Sequence, residues 1–256
     1  MPLPETRLDQ LVEHLVAVGL EEGDDVVVHS RLISFGLIEG GPAAVYQALR
    51  MVVGSGATIA VPTYLLGVAP TLPFDPAASP STTGVFGEHV RNLPGARRSG
   101  APIHSHAAVG PRAGLFDGVD GGVSFGEGSD FTLLHREGFK LLLLGCHFTA
   151  ATFLHHLEAL AAVPYRRWTT LARNRVAAGG ALVPVQVRYF ERADLRYREN
   201  FDPVGDRLVA AGLARRAPCP LGASHGIDLS ALQLAGLDML ATDPYAFVTD
   251  AGGEHE

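Results

Sequence analysis

Apolar positions recur in two periods along the chain, and the switching between them predicts its elements. In TRLDQLVEHLVAVGL, Leu8, Leu11, Val12, Leu15 and Val16 fall at helical spacing, and Gly23 closes that segment. DDVVVHS follows as a short buried strand, then a turn at IEGGP, a helix over PAAVYQALRMVV and a strand at ATIAVPT. A loop rich in Pro, Ser and Thr runs from about Tyr64 to Thr83. Next come a helix (GVFGEHVRNL), a strand around HSHAAVG, a helix (DFTLLHREG), the most apolar strand (KLLLLG) and a helix that contains TFLHHLE. After Pro164 the pattern changes, and NRVAAGGALVPVQVRYF predicts a hairpin turning at Gly179-Gly180. A helix near Val204–Leu213, a strand near Pro220 and a helix over LSALQLAGLDML complete the series. Strands alternating with helices predict an α/β fold, a mostly parallel central sheet flanked by helices with a late antiparallel hairpin. No repeat or linker interrupts it, so residues 1–256 are expected to form a single domain.

Composition narrows the class. Hydrophobic residues make up 47% of the chain and mean hydropathy is slightly positive, which excludes general disorder. No apolar run reaches the length of a membrane span, and the acidic, amphipathic N-terminal stretch does not read as a secretory signal. The two cysteines, Cys146 and Cys219, form no CxxC pair, which argues against a thiol metal site or a disulfide framework and for the cytoplasm. A net charge of −7 disfavours nucleic acid and suits a neutral or cationic small ligand.

Four segments stand at predicted strand ends, where open α/β sheets gather their ligands. They are HSRLISFG (His29 to Gly36), PTY (Pro62 to Tyr64), HSHAAVG (His104 to Gly110) and CHFTAATFLHHLE. Strand ends carry polar residues for solvation too, so one such segment alone decides nothing; histidines in three of four are harder to dismiss. In the last segment Thr152, His155 and Glu158 are spaced i, i+3, i+6, within roughly 120° of one helix face. Glu158 can therefore bond one nitrogen of His155, fix its tautomer and leave the other nitrogen as a base for an amine or hydroxyl nucleophile. His156 points about 100° away and has no acid one turn on, so it reads as a packed or surface histidine. His104, His106, His155, His156 and Glu158 make a metal site only on paper, because no compact ligand motif such as HExxH occurs, and none is expected. There is no GxSxG elbow, and Cys146 reads as a small buried hydrophobe.

Taken in order, these segments resemble the aminoglycoside 3-N-acetyltransferase family, which moves acetyl from acetyl-CoA to an amine. The resemblance runs nearly end to end through VVHSRLISFGLIEGGPAAVYQAL, GATIAVPTY, FDPAASPSTTG, GEHVRNLPGARRS, PIHSHAAVGPRA, FGEGSDFTLL, KLLLLG and TFLHHLEALAAVPYR. The last piece, with its T-x-x-H-x-x-E pattern, is the most diagnostic. The family implies that His155 is the general base, Glu158 its orienting partner, and Thr152 a hydrogen-bonding group for the thioester carbonyl or sulfur. It implies direct transfer without an acyl-enzyme. It also implies acetyl-CoA as co-substrate, held by Ser30, Arg31, Leu32, Ser34, Phe35 and Gly36 and by Ser105, His106 and Ala107, with Arg31 reaching a phosphate.

The acceptor pocket is expected from the loop after Tyr64 and the region beyond Pro164, with Tyr64, Asp75, Glu88 and Asp202 as candidate contacts. One departure lies nearby: the family's His-Pro is Ala101-Pro102 here, so one polar group is missing. The partner expected is a small-molecule amine, with neither nucleic acid nor membrane, for a monomer or homodimer. The alternatives are transfer from another acyl-CoA, transfer to a hydroxyl, or a CoA-binding protein without turnover.

Overall fold

The computed structural model describes residues 3–251. In chain order the elements are β1 (Glu5–Thr6), α1 (Leu8–Ala17), β2 (Val26–Ser30), β3 (Leu37–Ile38), α2 (Gly41–Val53), β4 (Ile59–Pro62), α3 (Val85–Arg91), β5 (Arg97–Arg98), β6 (His106–Val109) and α4 (Asp130–Arg136). They continue with β7 (Lys140–Leu144), α5 (Phe153–Ala161), β8 (Arg166–Val176), β9 (Leu182–Arg192), β10 (Tyr197–Glu199), α6 (Asp202–Ala210), β11 (Ala214–Cys219), β12 (Gly222–Asp228), α7 (Leu229–Thr242) and β13 (Val248–Asp250).

Seven strands make the central sheet in the order β11-β12-β7-β2-β4-β6-β5. The central three, β7, β2 and β4, are parallel, and the antiparallel pairs β11–β12 and β6–β5 extend them on either side. Alternate residues of the central strands point to opposite faces. Val27, Ala60, Ala108, Leu141 and Leu143 join one core with α4, α5, α6 and α7. Val26, Val28, Ile59, Val61, Ala107, Leu142 and Leu144 join the other with α1, α2 and α3. Runs such as VVV and KLLLL are apolar throughout because helices cover both faces.

Two features differ from the sequence reading. The single strand expected near Pro220 is two strands, β11 and β12, which turn at Pro220-Leu221. The late hairpin is longer than its pattern, runs from Arg166 to Arg192 and stands as a separate two-stranded sheet rather than joining the main one. It turns through Gly179 and Gly180, both at positive φ (91° and 85°), as that dipeptide predicts. Bridges from Phe74 to Arg175 and from Val123 to Arg188 tie it to the loops above the main sheet. No helix among the described residues is long and apolar enough to cross a membrane.

Candidate active site

The register of the sheet brings the histidine-bearing segments to one edge. Ser30, the last residue of β2, pairs with Leu144, the last of β7. On the other side β6 runs antiparallel to β4, so its first residue, His106, pairs with the last of β4, Pro62. His104, Ser105 and Tyr64 therefore lie at the same edge as the segment that leads from β7 into α5.

Thr152 occupies the N-cap position of α5 without making a cap hydrogen bond, and the helix ends at Ala162 in a left-handed conformation two residues before Pro164. Thr152 and His155 face a cavity of about 240 Å³, and Glu158, one turn behind, is fully buried. His155 Nδ1 lies 2.6 Å from Glu158 Oε2. A carboxylate oxygen only accepts, so Nδ1 donates in this contact, and His155 also lines the cavity.

Glu158 is held from two further directions. Tyr165 Oη donates to Oε1 at 2.7 Å, and Arg166 Nε makes an ionic contact with Oε2 at 2.7 Å whose angle lies outside hydrogen-bonding geometry. Arg166 Nη2 reaches Glu199 Oε1 at 3.0 Å and approaches His155 Nδ1 at 3.0 Å, the latter a close approach because Nδ1 already donates to Glu158. Burial, with the Glu158 charge second, pushes the Tyr165 phenol well above its usual range, so it remains a donor.

A second buried chain meets the cavity at Tyr64. Asp130, the first residue of α4, accepts from Ser99 Oγ and the His106 amide at 2.7 Å each and faces His106 Nδ1 at 2.9 Å. His106 Nε2 lies 3.2 Å from Tyr64 Oη, and the Thr152 hydroxyl engages the same phenol. His106 thus accepts from Tyr64 rather than opening to solvent.

Residues assigned to the coenzyme divide into two groups. Ser30, Arg31 and Leu32 are partly or fully exposed. Ser34 and Phe35 are buried: the Ser34 hydroxyl donates to Gly145 O at 2.6 Å, and the Phe35 ring packs edge-on against His14 at 5.0 Å. Gly145 permits this contact, since a Cβ there would lie 2.8 Å from Ser34 Cβ. Gly36, at φ 73°, abuts the Pro4 carbonyl. Ser105 Oγ is engaged by Arg98 Nε at 3.0 Å and Thr63 O at 2.8 Å, and Ala107 is wholly buried in the sheet.

The acceptor candidates are scattered. Tyr64 lines the cavity, but Asp75, Glu88 and Asp202 do not. Asp75 caps its own turn by accepting from the Ala77 amide at 2.8 Å. Arg91 holds the Glu88 carboxyl down to about 2, and Asp202 lines a separate cavity with His147, Phe148, Arg216 and His225. The carboxylate that does line the cavity is Glu199, joined by Arg192, Tyr189 and Phe125, which the local pattern does not mark, and by His104 from the HSHAAVG segment, which it does. His104 Nδ1 is buried without a partner, and burial pushes its imidazole down to about 3. His156 is packed against Phe153 and accepts from the Gly126 amide at 3.0 Å; burial lowers it to about 4. Cys146 is buried too, its thiol pushed up to about 12. Among the described residues no three His, Cys, Asp or Glu side chains converge as metal ligands.

Comparison with known proteins agrees on one family. The sequence model of the Aminoglycoside 3-N-acetyltransferase family matches residues 27–241. The Aminoglycoside N(3)-acetyltransferase III of a Salmonella species is 36% identical over 185 residues, 62% of this chain, and the chain spans only 63% of that relative's length. The Aminoglycoside N(3)-acetyltransferase VII of Streptomyces paromomycinus is 31% identical over 252 residues, 88% of this chain and 86% of its own. A solved structure described as AAC-IIIb binary with CoASH superposes with a TM-score of 0.81 at 28% identity, covering 93% of this chain and 97% of that one.

Proposed function

The chain belongs to the aminoglycoside 3-N-acetyltransferase family, and from that premise we propose that it transfers acetyl from acetyl-CoA to an amine of an aminoglycoside or a related amino-containing metabolite. The observation that carries the reading is the His155–Glu158 pair, an imidazole bonded through Nδ1 to a buried carboxylate and lining a cavity. A relative solved with CoASH, and relatives named as N(3)-acetyltransferases, support acetyl-CoA as the acyl donor.

In this reading the amine nitrogen attacks the thioester carbonyl while His155 Nε2 takes its proton. An ammonium has no lone pair, so the amine attacks in its neutral form, and the proton His155 takes is the one that bond formation to carbon makes acidic. The C–S bond then breaks and the proton passes from the imidazolium to the departing sulfur. Glu158 keeps the productive tautomer and stabilises the imidazolium, and Tyr165 and Arg166 fix the carboxylate. If Asp130 accepts from His106 and His106 from Tyr64, the Tyr64 oxygen accepts from Thr152. Thr152 then turns lone pairs to the cavity, where they orient an amine N–H. The exposed residues Ser30, Arg31 and Leu32 serve the coenzyme directly, and Ser34, Phe35 and Gly36 shape the loop that carries them. We take residues 1–256 as one catalytic domain, supported by a sheet whose strands run from Val26 to Asp228. Unpaired thiols and a dependence on acetyl-CoA fit a cytoplasmic setting.

The test is thiol release from acetyl-CoA with a panel of amines. Wild type should release thiol only when an amine is present, by sequential kinetics. His155→Ala should lose on the order of 10²–10⁴ in kcat while still binding CoA. A variant within tenfold of wild type, or ping-pong kinetics, would sink the mechanism.

A further inference from the structure

One buried group at the cavity has no part in the proton transfers. His104 is 5% exposed and lines the same cavity as Thr152 and His155. Neither of its ring nitrogens has a hydrogen-bond partner among the described residues, and Nδ1 is sealed from solvent. Four aromatic side chains hold the ring: Tyr64 edge-on at 4.9 Å, Phe125 at 4.8 Å, Phe131 edge-on at 6.2 Å and Tyr189 stacked at 5.8 Å. Phe125 also meets the His155 ring, at 5.9 Å, so one phenyl group stands against both imidazoles. Phenylalanine would serve such packing equally well. An imidazole adds a donor and an acceptor. Leaving both unmatched in a buried place costs stability, and a ligand in the cavity can supply the missing partner.

Most other donors on that wall already meet acceptors of the chain. His155 Nδ1 donates to Glu158, and the Tyr64 and Thr152 hydroxyls are joined to each other and to His106. Arg166 meets Glu158 and Glu199, and Arg192 meets Glu199 and the Tyr197 carbonyl. His104 and the Tyr189 phenol remain, and of these only His104 is fully buried. Burial pushes its imidazole down to about 3, so at neutral pH the ring holds one N–H and no charge. Such a ring does not oppose the imidazolium that forms on His155, and it donates to an oxygen while keeping its proton.

We propose that His104 donates its N–H to the carbonyl oxygen of the bound acetyl thioester and holds the oxyanion that forms there. This rests on the transferase reading and adds a catalytic residue to it. As the amine lone pair makes the C–N bond, the C=O π pair moves to oxygen, and the hydrogen bond from His104 strengthens without transfer of its proton. When that pair returns to remake C=O, the C–S pair leaves with sulfur, which takes its proton from His155. A donor placed where charge develops acts on kcat more than on binding.

The experiment compares wild type with His104→Phe and His104→Leu, which keep apolar packing and remove the donor, and with His104→Gln, which restores an N–H. Thiol release from acetyl-CoA is measured with saturating gentamicin, 2-deoxystreptamine or n-propylamine, and melting temperatures are taken on the same samples. The apolar variants should lose on the order of 10²–10³ in kcat, with the KM for acetyl-CoA within about threefold and a melting temperature no lower than that of wild type. His104→Gln should regain about tenfold or more over them. With acetyl-CoA isotopically labelled at the thioester carbonyl and bound without amine, the infrared carbonyl stretch should lie lower in wild type than in the apolar variants, a difference that packing alone does not produce. A folded apolar variant within about tenfold of wild type in kcat overturns the inference and leaves the transferase reading standing. So does an unmoved carbonyl stretch, or a kcat loss carried by Tyr189→Phe in place of the His104 variants. A wild type that acetylates no amine overturns both.

Discussion

Replacing Glu158 by glutamine isolates what the buried carboxylate does, because the amide keeps shape and removes only charge. Three donors meet this side chain: His155 Nδ1 and Arg166 Nε on Oε2, and Tyr165 Oη on Oε1. An amide has a single oxygen to offer. Turning its NH₂ toward Oε2's place would aim it at both a guanidinium and an N–H, whereas Tyr165 accepts from NH₂ through its own oxygen. Glu158→Gln therefore keeps the carbonyl toward His155 and the productive tautomer survives. What goes is the attraction between carboxylate and imidazolium. Two unit charges about 4 Å apart at an effective dielectric of about 20 interact by roughly 4 kcal/mol. Arg166 repels the imidazolium in both proteins and so leaves this loss unchanged, and the polar amide oxygen that replaces the carboxylate recovers a small part of it. A remainder of about 3–4 kcal/mol predicts a kcat loss on the order of 10²–10³, short of the roughly 10⁴ that follows when an acid's replacement inverts the tautomer.

Stability falls as well. Breaking a buried pair costs about 3–5 kcal/mol when a charge is left alone. Arg166 keeps Glu199 at 3.0 Å, so about 2 kcal/mol is expected, and at this chain length the melting temperature drops by roughly 4–8 °C. The assay is thiol release at 25 °C with saturating amine over pH 5–9, with thermal melts on the same samples. A folded Glu158→Gln with kcat within about threefold of wild type refutes the role of the carboxylate in stabilising the imidazolium.

Acid lability is expected from the buried histidines. Burial holds His29 and His104 down to about 3 and His156 to about 4, against about 6.5 in the unfolded chain. Their folded values are depressed, so protons favour the unfolded state; the stability is full above pH 6.5 and is lost as pH falls from there toward 4 and 3. By pH 5 each histidine removes roughly 2 kcal/mol, together comparable with a domain's whole stability. Urea midpoints at pH 7.5, 6 and 5 check this, and a flat series refutes it. Gly205→Ala should destabilise despite a better helix propensity, because the added Cβ would stand 2.1 Å from Phe148 Cδ2 in the turn that leads to α5. A loss of about 1–3 kcal/mol is expected, read from the denaturation midpoint; a gain means that Phe148 has room to move.

The sequence shows the scaffold well because burial on two faces writes continuous apolar strands, and helix spacing alone sets Thr152, His155 and Glu158 on one side of α5. The sequence singles out His106 but not its partner: Asp130 is 24 positions away and meets it only in the folded chain, at the first residue of α4. The acceptor wall was less legible still. Asp75, Glu88 and Asp202 are acids in the regions where the sequence predicts acceptor contacts, but none lines the cavity, and local turns and arginines claim the first two. Glu199 gave no signal, since a three-residue strand has no period, and its place depends on β10 pairing with β13 some fifty residues later.

The hairpin does two jobs through one residue. Arg166 opens β8, directly after Tyr165, and both side chains bind Glu158; from the same guanidinium Nη2 extends to Glu199 on the cavity wall. The acid bonded to His155 and the wall of the cavity are therefore joined by a single planar group, 5% exposed. A lysine at 166 has one nitrogen and cannot bridge both carboxylates in that fixed geometry. Displacing the hairpin would thus loosen the base's orienting partner as well as the wall of the pocket. That linkage gives the polar cluster a structural reason: the geometry of the Glu158 carboxylate is set by the element that also walls the cavity.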